Sequence, residues 1–71
     1  MTNTELLMST MALAGDKFFI KTLADLLHVT RTTAAKKLKG QALFDQEEIA
    51  ILAEHYRLTA EDIKSIFLGI D

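Results

Sequence analysis

Apolar residues recur along this chain at the spacing of one face of an α-helix. The segment 46–57 places them at i, i+3, i+4 and i+7, and the segments 20–27 and 60–68 repeat that helical spacing. The pattern predicts an amphipathic helix over each segment. Numbered in chain order, residues 20–27 form helix 2, residues 46–57 form helix 4 and residues 60–68 form helix 5. Their predicted buried faces consist of Ile49, Leu52, Ala53 and Tyr56 in helix 4, Ile20, Leu23, Ala24 and Leu27 in helix 2, and Ile63, Ile66 and Phe67 in helix 5.

Capping signals mark where the helices start. Thr2, Asp45 and Thr59 each stand three residues before a carboxylate, which is the spacing of a capping box. Thr30 is a further cap residue, and it precedes a segment rich in alanine and lysine. The sequence therefore predicts a helix start after each of these four residues.

Glycines mark where two of the helices stop. Gly15 and Gly40 suit the left-handed conformation that ends a helix. Together with the caps they predict helix 1 over 3–14 and helix 3 over 31–39. Helix 1 is apolar on more than one face, since its main stripe is Leu6, Leu7, Met11 and Ala14, and Met8 and Leu13 lie outside that stripe.

The five predicted helices form a single all-α domain over residues 1–71. The chain has no proline and only three glycines, which suits helices better than a sheet, and its 49% hydrophobic content is typical of a globular protein. No strand, repeat or linker is predicted. The predicted core contains Leu6, Met11, Leu23, Ala24, Leu27, Val29, Ala34, Leu38, Phe44, Ile49, Leu52, Tyr56 and Ile63.

Charge is distributed unevenly along the chain. The net charge is −2, but residues 26–44 carry four cations and no acid, whereas residues 45–71 carry two cations and seven acids. A short basic segment creates a local field that attracts phosphates or an acidic partner. The alternative interpretation of this segment is an ordinary solvated helix face.

The basic segment coincides with two short helices joined by a tight turn. Ala24 is small enough to let helix 3 cross close to helix 2, and Val29 fills the wedge between them. Ala34 and Leu38 face inward at i and i+4. Small residues and long cations on a short exposed helix suit insertion into a DNA major groove. The residues left on the outer face of helix 3 are Arg31, Thr32, Ala35, Lys36 and Lys39.

Residues 23–40 resemble the helix-turn-helix of the Cro/CI repressor class of phage and bacterial regulators, and the resemblance extends over nearly the whole chain. The K-G-x-x-x-F-D link over 39–45 and the Y-x-L-T ending over 56–59 are similar to small phage regulators of this class. They look most like the modulator-of-repression type of temperate phages of Gram-positive bacteria. The resemblance implies a five-helix lambda-repressor-like domain that binds a double-stranded DNA operator and regulates a lysis–lysogeny switch.

The resemblance also assigns roles to individual residues. It implies that Arg31, Thr32 and Lys36 read base edges; arginine can bond bidentately to guanine, and threonine offers a hydroxyl and a methyl group. It gives Lys36 a phosphate as its alternative ligand. The residues that it places on or beside the DNA backbone are Thr30, Thr33, Lys37, Lys39 and Gln41.

Three departures from the family pattern lie in and before the helix-turn-helix. His28 occupies the turn position that is usually glycine, so it must adopt a left-handed backbone. The connection over 16–19 is slightly longer than usual. Residues 18–20 are Phe-Phe-Ile at the start of helix 2, where relatives commonly place polar residues that touch phosphates. Aromatic residues at this position are either buried in the core or available to contact a partner protein.

These departures support an alternative function as a protein-interaction module. In that interpretation the chain is an antirepressor that forms a hetero-complex with a phage repressor, whose basic DNA-reading surface attracts its acidic C-terminal part. The same apolar residues alternatively complete the core or form the seam of a homodimer. The residues predicted for this surface are Met8, Leu13, Phe18, Phe19, Phe67, Leu68 and Ile70.

Other chemistry finds no support in the sequence. The chain has no cysteine, and its two histidines, His28 and His55, form no metal-binding pattern. No glycine-rich phosphate loop and no nucleophile beside a base is recognisable. We therefore expect no enzymatic activity, no catalytic residue, no cofactor, no metal and no small-molecule substrate.

The apolar runs and the first basic residue indicate where the protein resides. No apolar run is long enough to span a membrane, and the first basic residue is Lys17, which argues against a secretory signal. The expected location is the cytoplasm of a bacterial host cell.

Overall fold

The computed structural model describes residues 2–68, and every regular element in that range is helical. The predicted all-α class is confirmed, and each of the five predicted helices is present. A π-helical segment, Lys64–Leu68, continues the last of them. The helices are α1 (Thr4–Leu13), α2 (Phe19–Leu27), α3 (Arg31–Leu38), α4 (Gln46–Tyr56) and α5 (Ala60–Ile63).

Reciprocal side-chain caps start α4 and α5, as the sequence predicts. The Asp45 carboxylate accepts the Glu48 N–H at 2.8 Å, and the Glu48 carboxylate accepts the Asp45 N–H at 3.0 Å. Thr59 and Asp62 form the same arrangement at 3.1 and 2.9 Å. Each box occupies two backbone N–H groups that would otherwise have no intrahelical partner.

The predicted cap of α1 is wrong by one residue. Asn3, rather than Thr2, caps this helix, and its side-chain oxygen accepts the Leu6 N–H at 3.0 Å. Asparagine is at least as good a cap as threonine. A tertiary contact also holds Asn3 at the helix start, because its own N–H donates to the carbonyl of Ile66 at 2.6 Å.

Left-handed residues end the helices. Gly15 and Gly40 have φ angles of 97° and 76°, as their positions predict. Helix α4 ends at Tyr56, one residue earlier than predicted, because Arg57 itself adopts the left-handed conformation with φ 54°. The Leu58 N–H then donates to the Ala53 carbonyl at 2.8 Å, which closes the end of the helix.

The core lies where α2 packs against α3 and α4, and where α1 packs against the π-helical segment. A hydrogen bond adds a further link, since the Tyr56 hydroxyl donates to Asp16 at 2.6 Å and so joins the end of α4 to the α1–α2 connection. The buried apolar residues are Leu7, Met11, Leu23, Ala24, Leu27, Ala34, Leu38, Phe44, Leu52, Ile66 and Phe67.

Two predicted core positions are wrong by one residue. Leu7 is fully buried in place of Leu6, because α1 is apolar on several faces and the sequence does not single out the face that packs. In α2, Phe19 packs against the core while Ile20 is 40% exposed. The helix starts at Phe19, so the inward stripe runs from Phe19 through Leu23 at i+4.

The remaining differences from the predicted core are smaller. Ala14, which the sequence places on the α1 stripe, is exposed. Four predicted core residues pack against the core but are only partly buried; they are Val29, Ile49, Tyr56 and Ile63.

Among the helices of residues 2–68, none has the length and hydropathy needed to cross a lipid bilayer.

Candidate nucleic-acid interface

The turn between α2 and α3 is built around a left-handed histidine. His28 has φ 56° and ψ 44°, the conformation that the sequence requires of it. The N–H groups of His28 and Val29 both donate to the Ala24 carbonyl, the latter at 3.1 Å. Ala24 itself is buried in the contact between the two helices. The chain therefore reverses over residues 28–30 without losing the hydrogen bonds at the end of α2.

Thr30 orients the first turn of α3. Its backbone is extended, and its hydroxyl oxygen accepts the Thr33 N–H at 3.2 Å. The same hydroxyl donates to the Thr33 hydroxyl oxygen at 3.1 Å. Thr30 is thus occupied as a helix cap, and it satisfies one of the backbone N–H groups at the start of α3.

The outer face of α3 carries cations and hydroxyl groups. Ala34 and Leu38 are buried on the inner face, so Arg31, Thr32 and Lys36 face solvent as predicted. No acidic residue occurs between residues 26 and 44. The exposed residues on and just beyond α3 that the sequence assigns to DNA contact are Arg31, Thr32, Lys36, Lys39 and Gln41.

These cations form no ion pair within the described residues. Within residues 2–68, no carboxylate lies within 4.0 Å of the side-chain nitrogens of Arg31, Lys36 or Lys39. The neighbouring acid on α2 is Asp25, which binds Lys21 at 2.9 Å. The hydrogen bond and charge of Lys21 lower the pKa of the Asp25 carboxyl, and the charge of Arg31 lowers it further. The exposed face of α3 therefore presents a positive field to an anionic ligand.

Lys37 is a correction to the predicted site. The sequence assigns it to the DNA backbone, but the structure buries it to 8% exposure. Its ammonium donates to the Leu43 carbonyl at 2.7 Å and to the Glu48 carboxylate at 2.8 Å, and it lies 5.4 Å from the centre of the Phe44 ring. Lys37 joins α3 to the start of α4, so its charge is not available to a phosphate.

The residues predicted for a protein-binding surface differ in how far they are exposed. Phe67 is buried, with its ring edge-on to that of Phe44 at 5.4 Å, so its assignment to the surface is wrong. Met8 and Phe19 are half-buried and pack against the core. Ile70 lies outside the described residues. The members of the set that are exposed are Leu13, Phe18 and Leu68.

An open apolar groove adjoins the outer face of α3, and three residues predicted for the protein-binding surface, Met8, Phe18 and Phe19, line it. Its volume is about 610 Å³, and it lies between α1, the start of α2 and α3. We call it the α3 groove. The apolar residues Phe18, Ile20 and Ala35 line it, and Lys21, Arg31 and Lys39 stand at its edge. The signal available in the sequence is the apolar start of helix 2, but the spacing alone does not reveal that α3 leaves a gap beside it.

Across the described residues 2–68, no three His, Asp or Glu side chains are grouped as they would be around a metal ion. His28 serves the turn, and the ring of His55 lies edge-on to that of Tyr56 at 4.7 Å.

Comparison with protein-family models finds no match to this chain, and comparisons with curated proteins and with solved structures find no significant one. The function is therefore inferred from the chemistry and geometry of the site.

Proposed function

We propose that this chain is a DNA-binding transcriptional regulator with a lambda-repressor-like fold, in which α2 and α3 form the helix-turn-helix. The observation that carries the proposal is the outer face of α3. This face holds exposed cations that form no ion pair within residues 2–68, and a capped turn at residues 28–30 precedes it. A short helix of this kind fits the major groove, whose width admits one α-helix.

The side chains of α3 suggest how sequence would be read. Arg31 stands in the first turn of α3, where recognition helices contact base edges, and its guanidinium can bond to two acceptors of guanine. Thr32 is beside it and can donate to a base or contact a thymine methyl group. Lys36 follows one turn later and suits a base or a phosphate. Lys39 and Gln41 lie beyond the end of α3, within reach of the backbone.

The rest of the chain limits the affinity of a single copy. Residues 45–71 carry a net charge of −5, which repels DNA wherever they approach it. A pair of copies on two half-sites about 34–36 Å apart would double the basic contacts. The genetic context that the sequence resemblance suggests for such a regulator is the lysis–lysogeny switch of a temperate phage.

Selection of bound duplexes from a random DNA library, followed by anisotropy titration, tests the proposal. We expect Arg31→Ala to weaken binding by about 1–3 kcal/mol and to relax preference at one base position. Lys36→Ala should weaken binding and, if it contacts a phosphate, reduce the salt slope by about one. Lys64→Ala is the matched control, because Lys64 is exposed but lies in the acidic C-terminal part.

The salt series provides the decisive measurement. Affinity should fall steeply with rising salt, since each neutralised phosphate releases counterions. Affinity that depends neither on salt nor on Arg31 would exclude α3 as the DNA-reading surface.

A second candidate function is an antirepressor that binds a phage repressor. The observation that favours it is the exposure of large apolar residues, Leu13 at 90% and Phe18 at 72%, on a chain with an acidic C-terminal part. Large exposed apolar residues commonly mark interaction surfaces. Size exclusion of a mixture with the neighbouring phage repressor distinguishes the roles. A hetero-complex that no longer binds operator supports the antirepressor, and a ternary complex with DNA supports joint binding.

A further inference from the structure

The α3 groove combines an apolar floor with a cationic edge. Phe18 is 72% exposed and Ile20 is 40% exposed, so their surfaces remain accessible to a ligand in the isolated domain. On the side of α3, the groove is lined by the small side chain of Ala35. Arg31 and Lys39 stand at the edge, and no acidic residue is among the side chains that line the groove.

The shape of the groove favours a protein segment over a small molecule. Small-molecule sites usually enclose 70–90% of the ligand surface. The α3 groove is open to solvent, so it leaves part of the surface of a bound ligand uncovered. An amphipathic helix needs only such a groove, since it buries one apolar stripe and leaves its other face in water.

The charge at the edge determines which kind of helix fits. Arg31 and Lys39 have no carboxylate within 4.0 Å among residues 2–68, whereas Lys21 forms an ion pair with Asp25. Carboxylates beside the apolar stripe of a bound helix would meet these cations, whereas a basic helix would be repelled.

We propose that the α3 groove binds an acidic amphipathic helix of a partner protein, and that this helix and DNA exclude each other. The groove part of the proposal stands on the geometry above. The exclusion part rests on the proposed DNA-binding function, because Arg31 and Lys39 belong both to the groove edge and to the DNA-contacting face of α3. A bound acidic helix would occupy the cations that DNA requires.

Two labelled peptides of about 18 residues, long enough to form a helix, provide the probe. Both carry leucine at i, i+4, i+7 and i+11; one has glutamate beside this stripe and the other has lysine. Fluorescence anisotropy of each peptide with the full chain, in the absence of DNA, measures occupancy of the groove. We expect the acidic peptide to bind at least about tenfold more tightly than its basic counterpart.

Substitutions locate the binding site. Phe18→Ser should weaken binding of the acidic peptide by about tenfold or more. Leu43→Ser is the matched control, because Leu43 is 79% exposed and does not line the groove, and it should change nothing. Lys39→Glu should abolish the preference for the acidic peptide, since its carboxylate offsets the charge of Arg31. Phe18 is largely exposed, so its replacement leaves the core intact, and a circular dichroism spectrum checks this.

The outcomes separate the groove from the DNA-binding function. Absence of acidic-peptide binding up to about 1 mM, equal binding of both peptides, or binding that survives Phe18→Ser overturns the groove proposal. Acidic-peptide binding to a chain that binds no DNA would leave the groove standing and overturn the proposed function. Simultaneous binding of peptide and DNA would overturn the exclusion.

Discussion

Replacement of Lys37 by methionine tests how much of the fold depends on one buried cation. The Lys37 ammonium makes two hydrogen bonds, to the Leu43 carbonyl at 2.7 Å and the Glu48 carboxylate at 2.8 Å. The Lys37 and Glu48 side chains are only 9% and 12% exposed, so solvent screens this pair little. Methionine keeps most of the apolar stem of lysine while removing the charge and all three donors.

The expected loss is large for a domain of this size. Removing one partner of a buried ion pair costs about 3–5 kcal/mol, because the other charge is left uncompensated. Glu48 retains the Asp45 N–H as a donor, so we expect the lower end, about 3 kcal/mol. A chain of this length has a total free energy of unfolding of roughly 4–10 kcal/mol. Lys37→Met should therefore lower the Tm by roughly 12–24 °C.

Urea unfolding followed by circular dichroism measures the difference against a close control. Lys36→Met removes the neighbouring, exposed cation and should change the free energy of unfolding by no more than about 0.5 kcal/mol. Adding Glu48→Gln to Lys37→Met removes the uncompensated carboxylate, so the two losses should be non-additive by about 1 kcal/mol or more. A loss below about 1 kcal/mol for Lys37→Met, or additive losses, would refute a structural role for this ion pair.

Three further predictions address other contacts. Burial, and then the hydrogen bond to Asp16, raise the pKa of Tyr56 above its usual value, so the folded protein should lose stability as pH rises above about 10, where the unfolded chain ionises first. Tyr56 is the one tyrosine of the chain, so its ultraviolet titration reports this group alone, and an ordinary titration near pH 10 would contradict the shift. Tyr56→Phe should lose about 1 kcal/mol of stability at neutral pH and show less alkaline destabilisation. Ala24→Leu should cost about 1–3 kcal/mol in urea unfolding by overpacking the α2–α3 contact, against no such loss for the exposed Ala50→Leu, and equal stabilities would contradict the close crossing. Arg57→Gly should stabilise the fold by about 0.5–1 kcal/mol in the same assay, since glycine adopts the left-handed conformation without strain, and destabilisation would show that the arginine side chain matters more than its backbone.

Features determined by neighbouring residues were predictable from the sequence. The caps at Thr30, Asp45 and Thr59 and the left-handed His28 depend on contacts within a few residues, and the structure has each of them. The same local information explains why the exposure of Arg31, Thr32 and Lys36 was predictable, since their positions follow from the cap and from the inward Ala34 and Leu38.

Features determined by distant residues were not predictable in this way. On α3 alone, Lys37 is one of two similar lysines, and only the fold of residues 39–48 brings a carbonyl and a carboxylate to its ammonium. Asn3 replaces Thr2 as a cap with help from Ile66, more than sixty positions away. The α3 groove depends on how α1, α2 and α3 pack, which no local pattern encodes.

The contact between α1 and the π-helical segment has a consequence for the order in which the chain can fold during synthesis. The Asn3 N–H and the Ile66 carbonyl are hydrogen-bonded, and Leu7 and Met11 share one core with Ile66 and Phe67. The π-helical segment, which packs against α1, is synthesised well after it, with α2 to α5 in between. The α2–α3 pair, by contrast, is joined over residues 28–30 and needs only local contacts, which form quickly. The buried face of α1 therefore lacks this part of its contact while α2 to α5 are made, and the contact closes only after residue 67 has emerged.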